Sequence, residues 1–209
     1  MSDEIARVAS SMRRVIDRMV GTTAPPEEFG TIADELDALA ARLAAYEQHT
    51  IFHLGGPTAT DGAVTDYSPV TGRLHPFAPP VLVTSVGRRV EGTVTFGSAY
   101  EGPPGHVHGG FVAATLDELL GMTMAVQHLP GMTARLTVRY RRATPLHTEL
   151  RVVAEVGRID GRKVHVDGRI EHDDETCAEA DGLFLLVDFD RFRRRDRGGP
   201  PSKEHPAGP

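Results

Sequence analysis

Residues 109–127, GGFVAATLDELLGMTMAVQ, constrain the fold more than any other stretch of this chain. Apolar side chains recur all round the helical wheel, so the spacing predicts one long helix buried on nearly every side. Such a helix needs a layer to wrap it, and strand-like runs lie on both sides of it in the sequence. Residues 81–86 and 90–96 precede it, the second run alternating Val90, Gly92, Val94 and Phe96 against Glu91, Thr93 and Thr95. Four more runs follow, roughly 132–142, 147–159, 162–173 and 176–189, separated by Pro145, Asp160-Gly161 and Asp173-Asp174. Asp160-Gly161 is a short-hairpin signal. Strands, one central helix, then an antiparallel meander make an α+β arrangement whose sheet can wrap the helix.

A chain of 209 residues holds one such core with appendages. Residues 1–50 are expected to form a helical hairpin, with Ile5, Val8, Met12, Val15, Ile16 and Met19 on one helix. Gly21 stops that helix, and Ile32, Leu36, Leu39, Leu43 and Tyr46 mark a second one after Pro25-Pro26. Their apolar stripes call for a partner, either the main domain or a dimer contact. Residues 51–74 lie in a stretch crowded with Gly, Pro, Thr, Ser and Asp and are expected to be a loop or linker. The core domain is then 75–190, and 191–209 is a Gly/Pro-rich tail with the basic run Arg191, Arg193, Arg194, Arg195 and Arg197.

Other classes are disfavoured. A net charge of −6 argues against a general nucleic-acid binder. No apolar run nears the roughly 18 to 20 residues that span a bilayer, and the start Met1-Ser2-Asp3-Glu4 carries no secretory signal, so a cytoplasmic location is expected. The single cysteine, Cys177, excludes an internal disulfide and any multi-cysteine zinc site. His106 and His108 lack a third convincing ligand, so no metal is expected.

The chemistry concentrates on the central helix. Its start at Gly109-Gly110 exposes unpaired backbone N–H groups at the positive end of the macrodipole, where an oxyanion is stabilised. Asp117 stands within the apolar helix, where a carboxylate is costly unless solvated, paired or functional. Its wheel neighbours Gly110, Ala113, Ala114 and Gly121 are small and leave a groove. Gly109 and Asp117 are eight residues apart, about 12 Å along a helix, too far for one carbonyl to touch both. If both act on one carbonyl, the donors of one subunit face the Asp of another, as two antiparallel helices across a twofold axis would arrange.

The run Glu101-Gly102-Pro103-Pro104-Gly105-His106-Val107-His108-Gly109-Gly110-Phe111-Val112-Ala113-Ala114-Thr115-Leu116-Asp117 closely resembles the hotdog-fold acyl-CoA thioesterases of the phenylacetate-pathway and thioesterase-superfamily-member branch. Thr133-Ala134-Arg135-Leu136-Thr137-Val138-Arg139-Tyr140 and Ala178-Glu179-Ala180-Asp181-Gly182-Leu183-Phe184 are similar to that family's later strands. Over about residues 75–190 the resemblance implies a hotdog domain that hydrolyses acyl-CoA as a homodimer or dimer of dimers, with no cofactor beyond the coenzyme A of the substrate. It implies that the Gly109 N–H, helped by Gly110, polarises the thioester carbonyl. Asp117 of the partner subunit then activates water or attacks directly. His108 would order the turn or the substrate end, and Thr133 would help position the water. Two departures stand out. No asparagine precedes the His-Gly-Gly segment, and Thr133 shares strand parity with Arg135 and Arg139, so a bulge or an interface is needed to bring it to the site.

Arg139, Arg141 and Arg142 are candidate contacts for the phosphates of coenzyme A. The alternatives to a hydrolase are a hotdog hydratase or dehydratase and a catalytically idle acyl-CoA sensor or scaffold.

Overall fold

The structure, a computed structural model, describes residues 2–47 and 66–188. Most of the expected linker and all of the basic tail lie outside the described residues. The elements run α1 (Ser2–Met19), α2 (Pro26–Leu43), β1 (Leu82–Val86), β2 (Arg89–Thr95), a 3₁₀ turn (Ser98–Tyr100), α3 (Gly109–Val126), β3 (Gly131–Tyr140), β4 (Glu149–Asp160), β5 (Lys163–His172) and β6 (Glu175–Leu186).

All six strands join one antiparallel sheet in the order β1-β2-β4-β5-β6-β3. The expected four-strand meander is corrected here: β4, β5 and β6 form one, but β3 pairs with β6 at the far edge. The reason lies in the β3–β4 connection. Instead of turning tightly, it pairs with the loop ahead of α3, where Val107 N–H donates to Thr144 O at 2.8 Å and His106 bridges Pro145. The meander turns follow their residues. Asp160-Gly161 closes β4 onto β5 with Gly161 at φ 56°, and Asp173 and Asp174, at φ 50° and 61°, make the two left-handed positions of the β5–β6 turn.

The sheet curls round α3. Val152, Ala154 and Val156 of β4, Val164, Val166 and Ile170 of β5, and Ala178, Ala180 and Phe184 of β6 pack on Val112, Leu116, Leu119, Leu120 and Met124. Leu120 sits where the sheet comes closest. Cβ atoms at Gly168 and Gly182 would fall 2.8 and 2.7 Å from its methyl carbons, so these strand glycines let the helix seat. One expectation needs amending: α3 is by length and composition apolar enough to cross a bilayer. Its apolar positions face the sheet instead.

The N-terminal hairpin is present. Ala9 of α1 is buried, and the Arg13 guanidinium donates to the carbonyls of His75 at 2.7 Å and Arg73 at 3.3 Å. α1 is therefore the half that docks on the domain. α2 buries no residue and faces Val15 and Met19 of α1 through Phe29, Ile32, Leu36 and Leu39. Residues 67–74, expected as linker, have no regular structure yet pack on the domain, with Ser68, Thr71 and Leu74 buried.

Candidate active site

α3 starts where His108, extended at φ −62° and ψ 131°, caps it with a side chain. The imidazole Nδ1 accepts the Gly110 N–H at 3.0 Å. Because the amide is the donor, that nitrogen carries no proton, and the neutral ring bears its proton on Nε2. His108 is itself held from behind, its N–H donating to Tyr100 O at 2.8 Å. The N–H groups of Phe111 and Val112 turn back to His108 O. This leaves the Gly109 N–H without an acceptor among the described residues, at the positive end of the helix. The cap takes Gly110 out of the set of open donors, a correction to the two-donor expectation that follows from a histidine acting as N-cap.

Two turns on, Asp117 is half-buried, and its Oδ1 accepts the Thr133 hydroxyl at 3.0 Å. The parity difficulty is resolved by a bulge. Thr133 pairs with Phe184 and Arg135 with Leu183, so Ala134 is an extra residue in β3. Thr133 thereby joins the helix-facing set of Leu136 and Val138, while Arg135 points away. Beside Asp117 the helix face stays open, since a Cβ on Gly121 would meet nothing within 4 Å.

Sequence reasoning missed two neighbours. Tyr140, noted in the sequence only as the end of the run from Thr133, donates its hydroxyl to Gly109 O at 2.8 Å. Glu118 turns away from the groove towards residues 66–74. Burial pushes its carboxyl above the ordinary 4.5; the Ser68 hydroxyl opposes this, and the adjacent Asp117 adds to it. Behind the cap, Tyr100 anchors an aromatic cluster with Phe77, Phe96 and Phe111, its ring centroid 5.1 Å from that of Phe111. Burial pushes the Tyr100 phenol up to about 12.

The three candidate arginines are brought to the β3–β6 edge, but as ion pairs. Arg141 and Arg139 reach Glu179 at 2.5 and 3.9 Å, and Arg142 pairs with Glu175. His106 and His108 diverge, the Nδ1 of His106 pairing with Pro104 O at 2.8 Å. Among the described residues no three His, Cys, Asp or Glu side chains cluster to hold a metal ion.

A sheet curled round a glycine-started helix that carries Asp117 has clear counterparts. The sequence profile of the Thioesterase superfamily matches residues 104–179. The crystal structure of a thioesterase superfamily protein is 35% identical and superposes with a TM-score of 0.78, covering 87% of this chain and 90% of that one. The chain belongs to the thioesterase superfamily, and its fold is the hotdog fold. Among curated relatives, it is 32% identical over 114 residues to acyl-coenzyme A thioesterase THEM4 of Mus musculus, covering 54% of this chain and 49% of that protein. It is 38% identical over 93 residues to THEM4 of Xenopus laevis, covering 44% and 42%. The chain thus spans about half the length of the curated relatives it matches, or less.

Proposed function

We propose that this protein hydrolyses an acyl-CoA thioester to the free acid and coenzyme A. The observation that carries the reading is the Asp117 carboxylate, which stands in an open groove on the core helix and is oriented by the Thr133 hydroxyl at 3.0 Å. The Gly109 N–H receives the thioester oxygen, with the helix macrodipole behind it. Asp117 takes a proton from water as the water oxygen bonds to the carbonyl carbon. The tetrahedral intermediate then collapses, breaking the C–S bond and releasing the coenzyme A thiolate, which takes up the proton. No further cofactor enters this scheme. A hydratase or dehydratase would instead need an acid/base pair along the acyl chain, whereas Asp117 has the Thr133 hydroxyl on the groove side and its titrating neighbour Glu118 is bound to the hydroxyls of Ser68 and Thr71.

The scheme uses two subunits. Gly109 and Asp117 of one chain lie about 12 Å apart along α3. β3 is an edge strand with one unpaired side, and its Met132 and Tyr140 are exposed large side chains. A second copy pairing along this edge would bring the Gly109 end of one α3 towards Asp117 of the other, in a homodimer or dimer of dimers. Coenzyme A phosphates would meet Arg139, Arg141 and Arg142, exchanging the carboxylates of Glu179 and Glu175 for phosphate oxygens. A cytoplasmic location belongs to the same reading, in keeping with Cys177 as a buried free thiol.

Thiol release from a panel of acyl-CoA substrates tests the proposal. The native chain should release thiol, and Asp117→Asn, which still accepts the Thr133 hydroxyl, should lower kcat by about a hundredfold or more. Release by neither protein across the panel, with acyl-CoA still bound, would leave a sensor or scaffold and overturn the hydrolase.

A further inference from the structure

The peptide unit joining Gly109 to Gly110 is gripped at both ends. Its N–H donates to His108 Nδ1 at 3.0 Å, and its carbonyl accepts the Tyr140 hydroxyl at 2.8 Å. A peptide unit is planar and rigid, so two hydrogen bonds on opposite edges fix its orientation. That matters because its neighbours are glycines, whose backbone is otherwise the freest of any residue. The Tyr140 ring also covers Gly109. A Cβ placed there would come within 3.4 Å of Cε1, Cζ and Oη of the ring. The unit just before it, joining His108 to Gly109, carries the open N–H, and the two units share the Gly109 Cα as their hinge.

We infer that Tyr140 is a positioning residue for the oxyanion donor: its hydroxyl, working against the His108 cap, holds the hinge so that the Gly109 N–H points steadily into the groove. The inference rests on the reading of Gly109 as that donor. Tyr140 is placed for this by the register of β3, which pairs it with Ala178 of β6 at the end of the strand nearest the helix start. Its contact with the site runs through the Gly109 carbonyl, on the far side of the hinge from the donor.

Tyr140→Phe keeps the ring and removes the one hydrogen bond. With an acyl-CoA that the native chain hydrolyses, kcat is expected to fall about tenfold while KM stays within about twofold, because the loss falls on the developing oxyanion and not on substrate binding. The thermal midpoint should stay nearly unchanged. In ¹H–¹⁵N spectra the Gly109 and Gly110 amide signals should move, and the Gly110 amide should exchange with solvent faster. Unchanged kcat, or a raised KM at constant kcat, would overturn the inference. The spectra monitor the hinge independently of turnover. If the native chain releases no thiol, the hydrolase proposal fails by itself, and unmoved Gly109 and Gly110 signals in Tyr140→Phe would separately sink the positioning role.

Discussion

Replacing Thr133 with valine removes a single donor while keeping the β-branched shape that suits a strand. The hydroxyl donates to Asp117 Oδ1 at 3.0 Å, and a hydrogen bond to a charged group contributes about 1.5–3 kcal/mol net. Thr133 is exposed in the protomer, so water competes and the low end of that range applies. Since about 1.4 kcal/mol corresponds to tenfold in rate, kcat/KM should fall about tenfold in Thr133→Val. Thr133→Ser keeps the hydroxyl and should recover to within about threefold of the native chain. The assay is thiol release at saturating and subsaturating acyl-CoA, alongside urea denaturation. Stability should fall by no more than about 1.5 kcal/mol, the contribution of this one bond at that low end. If Thr133→Val matches the native rate, or Thr133→Ser is as slow as Thr133→Val, the hydroxyl does not orient Asp117.

Glu118 supplies a pH prediction. Its carboxyl is raised above 4.5 in the folded state, by burial first, with the Ser68 hydroxyl working against this and Asp117 adding to it. Between 4.5 and the folded value the native state therefore binds more protons than the unfolded chain, and stability falls as pH rises through that window. Glu118→Gln removes this loss, so the variant should be the more stable protein at pH 7 and the gap should close below about pH 4.5; urea midpoints at pH 4 and 7 decide it, and a less stable variant at pH 7 would contradict it. Leu120→Ala empties the seat between Gly168 and Gly182 and should cost about 3–5 kcal/mol by urea denaturation. A loss below about 1 kcal/mol would mean that the helix is not seated there.

Much of the architecture was legible because it depends on local periodicity. The helix expected over 109–127 spans Gly109–Val126, and the β5–β6 and β4–β5 turns fall where Asp173-Asp174 and Asp160-Gly161 mark them. The position of β3 was not legible, since a strand carries the same alternation whether it pairs with its successor β4 or with β6, the third strand after it. Parity groups Thr133 with Arg135 and Arg139 unless a bulge or an interface intervenes, and that the answer is a bulge at this point was not legible for a related reason. A bulge adds one residue to a ladder, and alanine at 134 bears no mark of it. The engaged Gly110 amide was hidden because histidine is not among the usual capping residues. Burial of residues 66–74 was masked by a composition that also suits loops. The arginines looked free because their carboxylates, Glu175 and Glu179, come from a strand distant in sequence.

The place of β3 in the sheet also sets an order of events. β4, β5 and β6 can zip locally through two-residue turns, whereas Gly131 must find Leu186 and Tyr140 must find Ala178 across the whole intervening meander. Closing that loop costs more entropy than closing either two-residue turn, so β3 joins after the β4–β5–β6 meander, and as an edge strand it can fray before the central strands do. Thr133 and Tyr140 both ride on that strand. Asp117 and the His108 cap can thus be in place on a seated helix before either supporting hydroxyl arrives, and turnover becomes an early reporter of fraying, lost at denaturant concentrations where the central strands are still intact.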